Sequence, residues 1–208
     1  MIIIAIDGPA AAGKGTLAKR LAKTLKLPYL DTGLLYRATA KRVLESGGDP
    51  TDPLAATAAA WELSETDTAR KDLRDASTSM AASQVASIPA VREALLAYQR
   101  SYGSANGAIL DGRDIGTVIF PQADVKLFVT ASVEARAKRR QLELDGKGQH
   151  LTLAEVIADV AARDEADRTR ATAPLIPAED AILIDTTNLN ADEAFAHALA
   201  IVKEKAAL

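Results

Sequence analysis

Ile2-Ile3-Ile4-Ala5-Ile6-Asp7-Gly8-Pro9-Ala10-Ala11-Ala12-Gly13-Lys14-Gly15-Thr16 begins as an aliphatic run and passes at once into glycine, alanine and a single lysine. An unbroken β-branched run suits a strand buried on both faces, here Ile2 to Ile6. Gly8-x-x-x-x-Gly13-Lys14 then has the form of a phosphate loop, in which glycines let successive backbone N–H groups converge on phosphate oxygens. The helix that starts at the lysine adds the positive end of its dipole, and Lys14 adds a compact full charge for the outer phosphates. Strand, loop and helix in this order separate the motif from a glycine-rich turn that merely joins two elements. The contacts expected for a nucleoside triphosphate are Gly8, Pro9, Ala10, Ala11, Ala12, Gly13, Lys14, Gly15 and Thr16.

Working outward, Leu17, Leu21 and Leu25 repeat every four residues and give the first helix a core stripe, with Lys19, Arg20, Lys23 and Lys26 towards water and Pro28 as its stop. Further strand-like runs lie at Tyr29–Asp31, Ala108–Asp111, Val125–Thr130 and Ala181–Asp185. Helical patterns separate them, and that alternation predicts an α/β fold: a central five-stranded parallel sheet flanked by helices, as in P-loop kinases. Thr152-Leu153-Ala154-Glu155 and Asn190-Ala191-Asp192-Glu193 read as capping boxes that open two later helices. In the last helix, Phe195, Ala198, Leu199 and Val202 form the buried stripe.

A parallel crossover needs only about a dozen residues, yet Asp31 and Ala108 stand much further apart. The alanine-rich stretch between them has helical spacing. A single domain is therefore expected, with its core at 1–45, 107–135 and 171–208, a mainly helical insert at 46–106 and a short lid at 136–170.

The 208 residues are 48% hydrophobic and 25% charged, carry a net charge of −3 and include no cysteine. That composition suits a globular protein, argues against a general nucleic-acid binder and excludes thiolate chemistry. The apolar start is too short for a signal peptide or a membrane span, so a cytoplasmic protein without nucleic-acid or membrane partners is expected, as a monomer.

Asp111 ends a strand at the carboxyl edge, where ligands bind in such sheets. It suits a metal contact through water; the competing reading is a strand-end cap. Phosphoryl transfer depends on positioning and charge neutralisation, so converging cations are expected. Arg136, Arg139 and Arg140 share a helix face by spacing, as do Arg163, Asp167 and Arg170. The competing reading for both faces is a solvated, salt-bridged surface with Asp164, Glu165 and Arg168 as partners. Two arginine-bearing helices joined by the 145–150 loop fit a lid that closes over triphosphate. Lys14, Arg136, Arg140 and Arg163 are the expected catalytic cations. Arg37 and Arg113, each just beyond a strand, could clamp an acceptor phosphate with bidentate hydrogen bonds. No strong base is required, because the acceptor is already an anionic phosphate oxygen, and His150 and His197 are isolated.

Gly15 stands where the usual motif has Ser or Thr, and Gly13-Lys14-Gly15-Thr16 resembles the loop of nucleoside monophosphate kinases. Four further segments extend the likeness: Leu30-Asp31-Thr32-Gly33 with Tyr36-Arg37; Ala82-Ser83-Gln84-Val85-Ala86 with Val91-Arg92-Glu93; Asp111-Gly112-Arg113-Asp114-Ile115-Gly116-Thr117; and Arg163-Asp164 with Asp167-Arg168 and Arg170-Ala171. Together with Ile4 to Pro9 they resemble the bacterial cytidylate kinases along nearly the whole chain. The resemblance implies ATP-dependent phosphorylation of CMP and dCMP with Mg2+, and it puts Thr16 near the phosphates and the metal. It puts Thr32, Tyr36, Arg37, Arg113, Arg163 and Arg170 around the monophosphate, Asp167 at the ribose, and Ser83, Arg92 and Asp114 at the base. Cytosine offers an N4 donor beside N3 and O2 acceptors, which a carboxylate and a guanidinium complement; uracil reverses two of these atoms. The likeness departs at Glu62 to Ser79, where relatives commonly carry a small β-sheet and this chain is short, charged and not strand-like. The rival readings are another small-molecule P-loop kinase, acting on UMP, AMP or dephospho-coenzyme A, and a nucleotide-binding switch with little turnover.

Overall fold

β-Branched and aliphatic residues that can be buried on both faces build β1 (Ile3–Asp7), β3 (Ala108–Gly112) and β4 (Val125–Thr130); β2 (Tyr29–Asp31) and β5 (Ile182–Asp185) complete the sheet. Every pairing is parallel, in the order β2-β3-β1-β4-β5. The computed structural model describes residues 2–104, 107–146 and 148–206. The outer end of the expected insert at 105–106, Lys147 of the expected lid loop and the terminal residues 1, 207 and 208 lie outside the described residues.

β1 is the central strand, and Ile4, Ala5 and Ile6 are fully buried. One side of the sheet is closed by α1 (Lys14–Leu25) and α9 (Ala191–Lys205), whose Leu17, Leu21, Ala198 and Val202 pack with Ile4, Ile6, Ile109 and Leu127. The chain leaves β1 towards β2 on one side and leaves β3 in the opposite sense, past β1 to β4. That reversal opens a crevice at the carboxyl ends of β1 and β3. α1 stops at Leu25, before Pro28, because Lys26 adopts the left-handed conformation (φ 55°) and its N–H caps the Ala22 carbonyl. Arg20 is less free than its spacing suggests: its guanidinium lies 4.3 Å from the Phe195 ring centre and pairs with Asp192.

Between positions 46 and 104 the described residues contain helices and no strand: α3 (Pro53–Trp61), α4 (Glu65–Thr68), α5 (Ala76–Ala86) and α6 (Pro89–Ser104). They pack on α2 (Thr32–Glu45) through small residues, Ala40, Ala56, Ala60, Ala81 and Ala82, which let helices approach closely. The charged stretch that is not strand-like is held by ion pairs instead, Arg42 to Glu62 and Asp67, and Arg70 to Glu45 and Asp72. α7 (Val133–Asp145) and α8 (Leu153–Thr169) share a small core of Ala137, Leu144, Val156 and Val160. No helix among the described residues is long and apolar enough to cross a membrane.

Both capping boxes form, at Thr152/Glu155 and Asn190/Glu193. The Asn190 side chain accepts from the Asp192 and Glu193 amides at 2.8 and 3.0 Å. Asn190→Ala should therefore cost about 1 kcal/mol, a fall in Tm of about 2–4 °C for a chain of this size, with kcat unchanged. A thermal melt beside a steady-state assay checks both halves.

Candidate active site

The phosphate loop owes its path to two glycines. At Gly8 (φ 145°) an added Cβ would overlap the Val129 carbonyl oxygen of β4, so no other residue fits; Gly13, the N-cap of α1, has φ 91°. Three contacts brace the loop, one from its own lysine and two from outside. Lys14 Nζ donates to the Pro9 carbonyl at 2.7 Å, Arg136 Nη1 to the Ala10 carbonyl at 3.3 Å, and Thr186 Oγ1 to the Ala12 carbonyl at 3.1 Å. Lys14 is buried at the first turn of α1, while Thr16 is exposed. Burial, with the charge of Arg113 beside it, pushes Lys14 down to about 7, against the pull of Asp111, Asp7 and Asp167. An ammonium so placed is short of counter-charge, which a polyphosphate would supply.

β3 delivers the facing wall. Asp111 Oδ1 accepts the Tyr29 hydroxyl at 2.9 Å, and Oδ2 lies 3.7 Å from where a Cβ on Gly15 would stand. Burial and then the neighbouring Asp31 push the Asp111 carboxyl up to about 6. No group of three or more metal-ligating side chains occurs among the described residues. The Asp111 carboxylate facing the loop at Gly15 fits an ion of the Mg2+ type, which keeps several waters and takes most of its remaining oxygens from phosphates. The next residue, Gly112, cannot carry a side chain, because a Cβ would meet Thr32 Oγ1 at 2.6 Å and Ile115 Cδ1 at 2.7 Å. Thr32 itself is buried and donates to the Asp111 carbonyl at 2.8 Å. The hydroxyl expected at the monophosphate thus also pins the backbone that presents Arg113 and Asp114.

Of the expected phosphate cations, Arg37, Arg113 and Arg163 stand near one another, whereas Arg170 lies beside Arg92 and Asp114. Arg113 Nε pairs with Asp167 Oδ2 at 2.7 Å. Burial pushes the Asp167 carboxyl up, but Arg113, Arg163 and Arg170 together hold it below the usual carboxylate range. Arg163 Nε is buried without a hydrogen-bond partner. Burial and then Arg113 push its guanidinium down to about 10. Arg37 donates to the Leu73 carbonyl at 3.1 Å and to Ser79 Oγ at 2.5 Å. Burial, followed by Arg163, Arg74 and Arg140, brings it down to about 9. Burial and neighbouring positive charge leave Arg37 and Arg163 short of counter-charge, whereas Arg113, paired with Asp167, is raised.

The Arg136, Arg139 and Arg140 face does not converge as one unit. Arg136 is buried and forms a bidentate pair with Asp164 at 2.9 and 2.5 Å, joining α7 to α8. Asp164 is the partner weighed from the sequence, but Arg136 is buried rather than on a solvated face, and the same guanidinium reaches the loop at Ala10. Arg139 turns away to the Thr186 carbonyl and hydroxyl, at 2.5 and 3.0 Å. Arg140 pairs with Glu143 at 3.1 Å yet stands near enough to Arg37 and Arg163 to lower both. His150, beside Asp145, and His197 are exposed, away from these groups.

A second polar cluster is buried where the insert meets the core. Arg92 Nη2 pairs with Asp114 Oδ2, and its guanidinium lies 5.5 Å from the Tyr36 ring centre. Arg170 Nη2 stands 3.8 Å from Asp114 Oδ1 and has no hydrogen-bond partner, while its Nε donates to the Ala173 carbonyl at 2.6 Å. Burial and then Arg92 lower the Arg170 guanidinium. Ser83, half-buried on α5, contacts the Ser79 carbonyl at 3.5 Å. Arg92 Nη1 reaches the Ala86 carbonyl at 3.3 Å, which joins the two insert helices at this cluster.

Two residues of the site were not singled out by sequence reasoning. Tyr29 holds Asp111 through its hydroxyl, and Asp7 is buried beneath the Asp114 loop. Asp7 had a readable signal: it is a charge closing an otherwise aliphatic buried strand, directly before Gly8. Tyr29 had none, because a tyrosine in a short strand reads as ordinary sheet filling.

The family profile of cytidylate kinases matches residues 4–204. The chain is 60% identical over 203 residues to a cytidylate kinase of Acidiphilium cryptum, covering 98% of this chain and 96% of that one. It is 56% identical over 207 residues to a cytidylate kinase of Paramagnetospirillum magneticum, covering 98% of each. A gluconokinase structure from Sinorhizobium meliloti has a TM-score of 0.51 at 12% identity, covering 98% of this chain and 92% of that one, a likeness of fold alone. The five-stranded parallel sheet, the phosphate loop and the end-to-end identity lead to one conclusion: this chain belongs to the cytidylate kinase family.

Proposed function

We infer that this protein transfers the γ-phosphoryl group of ATP to CMP and dCMP, giving CDP and dCDP. The observation that carries the reading to the base is the buried Arg92–Asp114 pair beside Tyr36 and Arg170. A carboxylate accepts from the cytosine N4 amine and a guanidinium donates to N3 and O2, so this pair complements one edge of cytosine. Uracil would set an acceptor against the carboxylate and a donor against the guanidinium, leaving buried groups unpaired. Relatives that share more than half of this sequence carry the name cytidylate kinase, which supports the same reading.

The loop from Gly8 to Thr16 grips the donor phosphates, with Lys14 between donor and acceptor. Arg37, Arg113, Arg163 and Arg170 hold the acceptor phosphate, with Thr32 and Tyr36 shaping the pocket and Asp167 orienting the ribose. An acceptor phosphate oxygen attacks the γ-phosphorus in line as the bond to the ADP oxygen breaks. No proton need be removed, so the residues serve to position and to neutralise. Thr16 and, through water, Asp111 would hold Mg2+, which when bound neutralises developing charge on the phosphates. Arg136 and Arg140 belong to the lid at 136–170; the insert at 46–106 and this lid are the parts that close on the core at 1–45, 107–135 and 171–208.

A panel of CMP, dCMP, UMP and AMP at saturating ATP tests the base reading. CMP and dCMP should far outpace the others, and equal rates with UMP would sink it. Asp114→Asn exchanges an acceptor oxygen for a donor. It should lower the CMP-to-UMP ratio of kcat/KM by on the order of 10–100-fold, more than it lowers kcat with CMP.

A further inference from the structure

Asp7 takes no part in the transfer just described, yet it is a buried carboxylate at the end of the central strand. It lies in register with Gly112 on β3 and Phe128 on β4. Its Oδ1 accepts the Ile115 amide at 2.8 Å and its Oδ2 the Gly116 amide at 2.7 Å. These are the first amides of a π-helical turn, Ile115–Ile119, and the opening amides of such a turn have no partner inside it. Asp114 is the residue immediately before them and caps the turn without a side-chain hydrogen bond of its own. Its carboxylate is therefore free to face Arg92 and Arg170, because Asp7 performs the capping from another strand. The fit is close: a Cβ on Gly116 would stand 3.4 Å from Asp7 Oδ2 and 3.1 Å from Lys126 Cδ. On its other side Asp7 is followed directly by Gly8, which abuts β4 and begins the phosphate loop.

We propose that Asp7 is a positioning residue that ties the phosphate loop to the acceptor-base cluster and sets the placement of Asp114, and with it the discrimination between cytosine and uracil. This rests on the reading of Arg92 and Asp114 as the base-recognising pair. The competing role is counter-charge to Lys14. Asp7 does act on the Lys14 ammonium through space, but the direct bonds differ, since both Asp7 oxygens accept amides and Lys14 Nζ donates to the Pro9 carbonyl.

Asp7→Asn tests the proposal, because asparagine keeps the shape and one acceptor but turns an NH2 towards one of the two amides. The CMP-to-UMP ratio of kcat/KM should fall by on the order of tenfold, the effect of one poorly made buried hydrogen bond, while the KM for ATP stays within about twofold. The ratio does not depend on how much of the enzyme is folded, so a loss of stability alone leaves it unchanged. Asp7→Asn combined with Asp114→Asn should have a ratio no lower than Asp114→Asn alone, since both changes act through one carboxylate. An unchanged ratio in Asp7→Asn, with a lowered one in Asp114→Asn, overturns the proposal. Equal losses for both acceptors with a raised KM for ATP overturn it in favour of the Lys14 role. If Asp114→Asn keeps the full ratio, the base-recognition reading falls and the Asp7 role falls with it. Should Asp7→Asn yield no active enzyme, Gly116→Ala presses on the same contact from the turn: a lowered ratio supports the proposal and an unchanged one overturns it.

Discussion

Lys14→Ala should lower kcat by on the order of 10²–10³-fold, about 3–4 kcal/mol of transition-state stabilisation, with the KM for CMP little changed. Lys14 is the charged side chain of the loop itself, buried at the first turn of α1 with its ammonium 2.7 Å from the Pro9 carbonyl. Charge in phosphoryl transfer spreads over the oxygens of the moving group, and a compact ammonium at the mouth of a helix N-terminus meets it without reorganisation. Arg113 and burial leave Lys14 destabilised as a cation before any phosphate arrives, so its removal should not weaken the fold. The combination is diagnostic: a large fall in kcat beside an undiminished Tm. A fall of less than about tenfold would remove Lys14 from the catalytic set.

Arg163→Met should abolish most of the activity and at the same time stabilise the empty enzyme. Its Nε is buried without a partner, and Arg113 and Arg140 stand close. Burial and these neighbours bring its guanidinium down to about 10. A basic group with a depressed folded value is destabilising throughout the range in which it stays charged in the fold, which includes neutral pH. Methionine keeps much of the stem and removes the charge. With a discount for its partial exposure, the gain is about 1 kcal/mol, a rise in Tm of about 2–4 °C. Without it the acceptor phosphate loses one of its clamping cations, and kcat/KM for CMP should fall by on the order of 10²–10³-fold. A melt and a kinetic assay on one preparation decide the matter. A lowered Tm would show that Arg163 is a structural strut, and near-normal turnover would show that it does not touch the phosphate.

Local rules determined much of this protein. The β-branched run, the loop glycines and the two capping boxes each act within a few residues, so strand, loop and helix could be read in order from the chain. The parallel sheet followed from the alternation of those elements, and the helical insert from a crossover much longer than geometry requires. The candidate phosphate cations stood out because they lie at strand ends and at helical spacing, whereas Ser83, Arg92 and Asp114 were assigned to the base only through the family resemblance.

What tertiary structure alone decided is where each charge spends its hydrogen bonds. Spacing put Arg136, Arg139 and Arg140 on one helix face, yet Asp164 and the Thr186 carbonyl draw two of them into separate structural pairs. Thr32 read as a ligand contact, and the fold also uses it to pin the Asp111 backbone. Tyr29 became visible as a site residue only when β2 was laid beside β3, and the partners of Asp7 only when β1 was. The reason is physical: hydrogen bonds between residues far apart in the chain depend on sheet register and helix packing, which no local window contains. The phosphate loop was written in consecutive residues. The shape of the site it serves was set by contacts across the sheet.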